Sequence, residues 1–563
     1  MAINPPSIGV ATFDGLDSLG KPYNINDVLA KGYADKMISQ PVRVDLIDPS
    51  LRTNLSVSFF YQLKGRGELP DAGDLLRLSM LNKSGIWEIV WSVENDNSQQ
   101  TDIFYPVTVA IPTNDDRFFH EKFRFKFENF ARLSGPYDTW NLDYIFIGNG
   151  NVSNDPPPFP DRTLVYPLTS VFTDYSSLPI KHFLTNPAAT LTKPSFIINN
   201  RRSDQTDDQE GGQPVNYVSD AFITTRKNKV ITTESINLNN NNVSEGTPVF
   251  YNTNKTITLN TLPLLDKFDP DADSISVKIK LNLTTADNVI KVLGPPKEGD
   301  YVPAIYSPID FRTNDSTSSI FTLSNYYAYD DGIAEYGAGI KGFGVQVMYR
   351  FDMKTSEPDT LVGVKIYFPR FGDESSQLIQ LQVFKDLDGT GASTLHQESV
   401  TVQRSEANHF VNYTFSRFVG VQGTFYIGWK QNTTAAISVG LDKNTDSSNK
   451  IYFNTGGEWG QDPNTKGSLM IRPVFGKGGL IVGLPENAAV NRAYPNPTKG
   501  VLFLSPLAEQ VKVIDLTGHE INFHSEYSDE YQRVDLGTTP AGIYIVRYLI
   551  NKNIRTEKII LQK

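Results

Sequence analysis

The chain contains no cysteine, which excludes disulfide staples, thiolate nucleophiles, cysteine-ligated zinc and iron–sulfur clusters together. Its six histidines, His120, His182, His396, His409, His519 and His524, are scattered. No two of them have the His-x-x-x-His spacing that presents a pair of imidazoles to zinc on one helical face. Gly-x-Ser-x-Gly elbows, phosphate-cradling glycine loops and dinucleotide fingerprints are also missing, so hydrolase, kinase and dehydrogenase chemistry lack their usual sequence support. A glycosidase needs only two carboxylates about 5–10 Å apart, which distant strands can supply, and this class stays open. Positive charge is not in excess: 52 Lys plus Arg face 63 Asp plus Glu, a formal charge of −11. Nucleic acid and anionic membranes are therefore not expected partners. No apolar run approaches the roughly 18 residues of a membrane helix. The start, Met1-Ala-Ile-Asn-Pro-Pro6, has neither a basic region nor an apolar stretch, so any export signal is expected to have been removed already.

What is present favours strands. The 563 residues include 33 Phe, 26 Tyr, 41 Gly and 34 Pro. Aromatic and β-branched side chains fit a pleated surface, whereas Gly, Pro and Asn punctuate it. Period-2 alternation runs through Leu55, Val57, Phe59, Tyr61 and Leu63, through Phe123, Phe125 and Phe127, through Ile275 to Leu283, and through Ile379, Leu381 and Val383. Each run predicts a strand with one face in a core and the other in solvent. No amphipathic helix of comparable clarity occurs. The expected fold class is all-β: tandem β-sandwiches, jelly-roll or Ig-like, with a small sandwich at the C-terminus.

At about 100–200 residues per domain, the length allows three to five of them. The proline-rich stretch 151–162 cannot continue a sheet ladder and predicts the first boundary. A second is expected before residue 319, after Gly294-Pro-Pro and the polar run from Thr313 to Ser318. A third is expected in the linker 479–490. The predicted modules are thus 1–150, 163–318, 319–478 and 491–563. Within the second, Asn199 to Pro214 and Asn237 to Asn242 read as exposed loops.

The last block is the most informative. Tyr494-Pro-Asn-Pro497 leads into a strand at Val501 to Leu504. Val511 to Gly518 is a strand ending in a turn, Pro540-Ala-Gly-Ile-Tyr544 opens another, and Ile543 to Ile550 with Ile554 to Leu561 reads as a hairpin. On composition alone this is a small structural sandwich. These four ordered motifs, with Lys558-Ile-Ile-Leu-Gln-Lys563 at the end, also resemble the C-terminal (type A) sorting domains of type IX secretion cargo in Bacteroidota. The residues that carry the resemblance are Tyr494, Pro495, Asn496, Pro497, Gly518, Pro540, Ala541, Gly542, Tyr544 and Lys563. It implies periplasmic transit, recognition by the outer-membrane translocon, and removal by a sortase-type peptidase near the linker after Phe475. The rest would be released or attached to the cell surface.

Candidate sites upstream rest on juxtaposition. If first and last strands of a sandwich are neighbours, Asp14, Asp17 and Asp143 can share a Ca²⁺ in the first module, and Asp330, Asp331 and Glu335 can approach the terminal strand of the third. The plain alternative is that these residues make turns and hydrogen-bond backbone. Asp386-Leu-Asp-Gly-Thr-Gly391 looks like half of a calcium loop but lacks the Glu that would complete it. The first module weakly resembles MAM-like and carbohydrate-binding jelly rolls, and the third a recurrent β-domain of secreted proteins, which implies no activity. Trp459, Tyr137 and Trp140 are candidate platforms for a sugar ring, since an exposed aromatic face stacks on a pyranose. The function these features imply is a non-enzymatic exported protein that binds or adheres, with surface polysaccharide as a candidate partner and calcium as the candidate cofactor. Alternatives are a secreted carbohydrate-active enzyme or a component of the surface or secretion apparatus.

Overall fold

The computed structural model describes residues 2–149, 161–202, 213–239, 247–262, 268–285, 287, 289–290, 293–296, 303–305, 309–370, 377–387, 393–476, 493, 495–527, 531–550 and 553–562. Both expected linkers, apart from their edges, lie outside these residues. So do Tyr494, Lys563, residues 203–212 and 240–242 of the polar stretches in the second module, and the glycine end of the acidic turn after Asp386.

The first module has eight strands: β1 (Ala11–Phe13), β2 (Lys31–Ile38), β3 (Leu55–Leu63), β4 (Leu75–Leu81), β5 (Trp87–Glu94), β6 (Tyr105–Ala110), β7 (Phe125–Arg132) and β8 (Trp140–Asn149). They form two four-stranded antiparallel sheets, ordered β1-β8-β3-β6 and β2-β7-β4-β5. This interleaving is the jelly-roll order, and it makes the first and last strands neighbours. Phe13 faces Trp140 and Ala11 faces Leu142 in register. Phe59, Leu78, Phe127 and Trp140 fill the space between the sheets.

β3 departs from its expected pattern, because all nine of its residues are buried. Its outer face is covered by protein. Gln62 exchanges hydrogen bonds with the backbone of Ile3, donating to its carbonyl at 2.7 Å and accepting from its N–H at 3.0 Å. Phe60 packs on Tyr144 and lies under the Arg201 guanidinium from the second module.

In the second module, one sheet runs in the order Ser177–Pro179, Ser316–Ser324, Ser274–Thr284, Gln213–Lys227 and Val230–Asn237. A three-stranded sheet of Thr253–Thr258, Ser195–Asn200 and Arg162–Leu164 lies apart from it. Ser274–Thr284 keeps the expected alternation, with Ile275, Val277, Ile279, Leu281 and Leu283 inward. The boundary expected at 318/319 falls inside a strand. Ser316–Ser324 pairs along Ser274–Thr284 from Ser316–Asn282 to Leu323–Ile275. Ser316 and Ser318 lie on the solvent side of this strand, which polar residues occupy as readily as they occupy a loop.

The third module has a five-stranded sheet, Thr394–Thr401, Leu378–Phe384, Thr424–Gln431, Gln346–Asp352 and Ile451–Asn454. A three-stranded sheet of Val411–Val421, Asp359–Ile366 and Ile471–Phe475 and a short one of Tyr336–Ala338, Val439–Asp442 and Ser468–Leu469 complete it. Its core is continuous with that of the second module, a single apolar cluster from Leu164 to Phe475. Tyr175 stacks on Tyr329 at 4.5 Å between ring centres, and Tyr327 meets Phe475 edge-on. The C-terminal module is separate: two sheets of three and four strands close on their own core around Leu502, Val534, Val546 and Ile559.

Candidate functional site

The C-terminal motifs follow from the geometry of turns and edges. Gly542–Ile550 pairs with Asn553–Leu561 through nine residue pairs, the expected hairpin. Asn496 does for the outer edge of Asn553–Leu561 what another strand would do. Its Nδ2 donates to the Lys558 carbonyl at 2.6 Å and its Oδ1 accepts from the Ile560 N–H at 2.8 Å. An amide is required here because it offers donor and acceptor from one side chain. The flanking Pro495 and Pro497 are exposed. Gly518 sits at φ 91°, in the left-handed region, and closes a turn in which Asp515 Oδ1 accepts from the N–H of Thr517 and His519. The buried Tyr544 ring carries its hydroxyl back to the Pro540 carbonyl at 2.8 Å, pinning Pro540-Ala541-Gly542 as the approach to the strand. Pro540 and Ala541 are exposed, as are the prolines of the first motif.

Upstream, a cleft of about 1350 Å³ is walled by all three modules. The amino-terminal segment contributes Asn4 and Ser7, the second module Tyr166 and Ser195, and the third Tyr326, Asn444 and Arg472. Arg66 crosses from the first module to the third, donating to the carbonyls of Lys443 and Asn444 at 2.7 and 2.6 Å. Asp143 holds the amino-terminal segment in place, accepting from the Ser7 N–H and hydroxyl, both at 2.9 Å.

Asp143 is thus committed to Ser7, and the structure does not bring it to Asp14. The register puts Ala11 opposite Leu142 and Phe13 opposite Trp140, so Asp143 lies four residues along the ladder from Asp14, roughly 13 Å away. Asp14 instead sits beside Asp35. Burial, and then the charge of Asp35, push its carboxyl up to about 7, against the lowering effect of the Leu16 N–H. Asp17 is a turn residue that accepts from the N–H of Leu19 and Lys21.

Of Asp330, Asp331 and Glu335, the first bonds the terminal strand Ile471–Phe475, and the other two bond residues 442–444 at the end of Val439–Asp442. Asp330 is buried and paired through both oxygens with Arg472 of the terminal strand. Asn444 bridges the other two, its Nδ2 donating to Asp331 at 3.1 Å and to Glu335 at 3.0 Å. Burial pushes Glu335 up to about 7, with the Lys443 N–H opposing it and Asp442 adding to it. An arginine and an amide already answer this group.

Trp140 is corrected as a sugar platform. It is 0% exposed, because its position on β8 points between the sheets, against Tyr61. Tyr137 is half-buried under the Arg132 guanidinium. Trp459 is half-buried, its ring edge-on to Phe384, and keeps part of its surface in solvent. The tyrosines of the cleft, Tyr166 and Tyr326, gave no sequence signal beyond their residue type, since only the meeting of modules places them together.

Residues 492–562 match the family described as "Secretion system C-terminal sorting domain". No curated protein sequence matches the chain. A solved structure titled "Biofilm associated protein - BSP domain" aligns over 97% of this chain and 98% of its own length, at 10% identity and a TM-score of 0.13, a similarity too slight to bear on fold or role.

Proposed function

We propose that this chain, a type IX secretion cargo protein by virtue of the sorting domain at residues 492–562, works at the cell surface or outside the cell as a binding protein. The C-terminal module is its address. Its recognition surface is the exposed turn set around Pro495–Pro497 and Pro540–Ala541, presented to the translocon. A sortase-type peptidase then separates it from the cargo between Phe475 and Ala493.

The cleft between the three upstream modules carries the binding role. Its lining of hydroxyls and amides from Ser7, Ser195 and Asn444, with the rings of Tyr166 and Tyr326, suits a polysaccharide, whose sugars offer hydroxyls at their edges and apolar faces to rings. Its carboxylates favour binding over hydrolysis: Asp330 is paired with Arg472 and Asp331 is held by Asn444. Two experiments test the two halves. Deleting residues 485–563 is expected to leave the upstream modules folded in the periplasm, and normal secretion of that truncation would contradict the address. Titrating surface polysaccharides into the purified chain is expected to give binding that Tyr166→Ala and Tyr326→Ala weaken at least tenfold. Cleavage of the bound polysaccharide would favour the enzymatic alternative.

A further inference from the structure

Among the described residues, two trios of carboxylates have oxygens within 4.8 Å of one another: Glu68, Asp71 and Asp138, and Asp161, Asp287 and Asp315. That spacing matches oxygens sharing one ion at about 2.3–2.6 Å each. The trios differ in what answers their charge. In the first, Arg132 Nη2 donates to Asp71 at 2.7 Å and Lys31 Nζ lies 3.1 Å from the same carboxylate. The N–H groups of Asp71 and Arg132 donate to the two oxygens of Asp138 at 3.0 and 2.7 Å. This trio is satisfied by the protein.

The second trio is enclosed: Asp161, Asp287 and Asp315 are 0%, 5% and 6% exposed. Asp161 and Asp315 each have one oxygen held, and Asp287 has both. The Tyr144 hydroxyl and Asn314 Nδ2 donate to Asp161 Oδ2, the Arg162 N–H to Asp287 Oδ2, and Thr285 Oγ1 to Asp315 Oδ2. Asp287 Oδ1 faces Arg202 at 3.3 Å and Arg162 at 3.9 Å. Asp161 Oδ1 and Asp315 Oδ1 are buried with no donor among the described residues, and so is Oδ1 of Asn314, the amide whose Nδ2 reaches Asp161. A buried carboxylate oxygen without a partner bears its full desolvation cost, so natural structures fill such positions with a donor, a water or a cation.

We propose that Asp161, Asp287, Asp315 and the Asn314 amide oxygen hold one Ca²⁺ at the seam between the first and second modules. The donor set is oxygen only, which selects a hard cation. Its mixture of carboxylate and amide, closed to solvent, suits the flexible coordination of Ca²⁺ better than Mg²⁺, which demands an octahedron and keeps its waters. The ion would tie Asp161, which β8 reaches through the Tyr144 hydroxyl, to the ends of two strands of the second module. In an exported chain without cysteine, that linkage does for the seam what a disulfide does elsewhere.

The test uses the full chain stripped with a chelator. Millimolar CaCl₂ is expected to raise the melting temperature by several degrees, with one equivalent bound by calorimetry at the seam, and MgCl₂ is expected to do much less. Asp161→Asn and Asp315→Asn are expected to abolish the shift, whereas Asp71→Asn, in the satisfied trio, keeps it. Should the seam variants not fold, tyrosine-sensitised Tb³⁺ luminescence of the wild-type chain, displaced by one equivalent of Ca²⁺, gives the same answer through Tyr144. A wild-type chain with neither a Ca²⁺-dependent shift nor displaceable Tb³⁺ would overturn the proposal. So would a shift that survives in the seam variants, or one that Mg²⁺ reproduces in full.

Discussion

The C-terminal module and the three modules before it put function in different places. In the C-terminal module, the residues that matter are residue types that a backbone geometry demands at one position: an amide at Asn496 to pair with a strand edge, and a glycine at Gly518 for a left-handed turn. Upstream, the groups proposed to bind are ordinary Asp, Asn, Ser and Tyr, gathered from positions such as 161, 287 and 315 or 7, 166 and 444. An address of the first kind survives as a motif. A binding site of the second kind exists only after folding.

The cores divide in the same way, and this comparison can be broken by mutation. Arg472→Ala leaves Asp330, 1% exposed, buried and unpaired, which is expected to cost about 3–5 kcal/mol. In a thermal scan it should lower the transition of the upstream modules and leave that of the C-terminal module in place. Leu502→Ala opens a hole in the small separate core at about 3 kcal/mol and should do the reverse. If either variant moves both transitions equally, the two regions share their stability and the separation fails.

The pH dependence sharpens the contrast. Burial raises Asp14 and Glu335 to about 7. Such groups bind more protons folded than unfolded, so what they contribute is fully present below about pH 4 and is lost as the pH rises towards 7. Asp515 and Asp535 in the C-terminal module are lowered, chiefly by the Thr517 side chain and the Gly537 N–H respectively. Their small contribution has the opposite sign, present at neutral pH and lost in acid. Asp14→Asn is therefore expected to be more stable than wild type near pH 8 and equal to it near pH 4, as urea unfolding would show. The smallest expected effect is that of Gly518→Ala. A methyl group there meets nothing within 4 Å, so the cost is that of the backbone conformation alone, about 1 kcal/mol, read as a shift in the C-terminal transition.

The strands were legible in the sequence wherever one face is dry and the other wet, as along Ile275 to Leu283. Where both faces are covered, as on β3, alternation revealed the strand but not the cover, because Ile3 and Arg201 come from elsewhere in the chain. Trp140 shows the same limit: its neighbours resemble a loop, but its own position on β8 faces the core. The polar run at 313–318 suggests a boundary but leads into the strand Ser316–Ser324, because a strand's wet face and a loop use the same residues. The first and last strands do pair, yet this does not join Asp14 to Asp143, since the register sets them four residues apart. The trio at 161, 287 and 315 had no signal of any kind.

The most direct measurement moves the address by itself. Residues 485–563, fused to the C-terminus of a folded reporter that carries its own periplasmic export signal, should bring that reporter to the cell surface or medium of a bacterium with type IX machinery, with the C-terminal segment removed. A reporter that stays in the periplasm as fully as the unfused control would contradict the account.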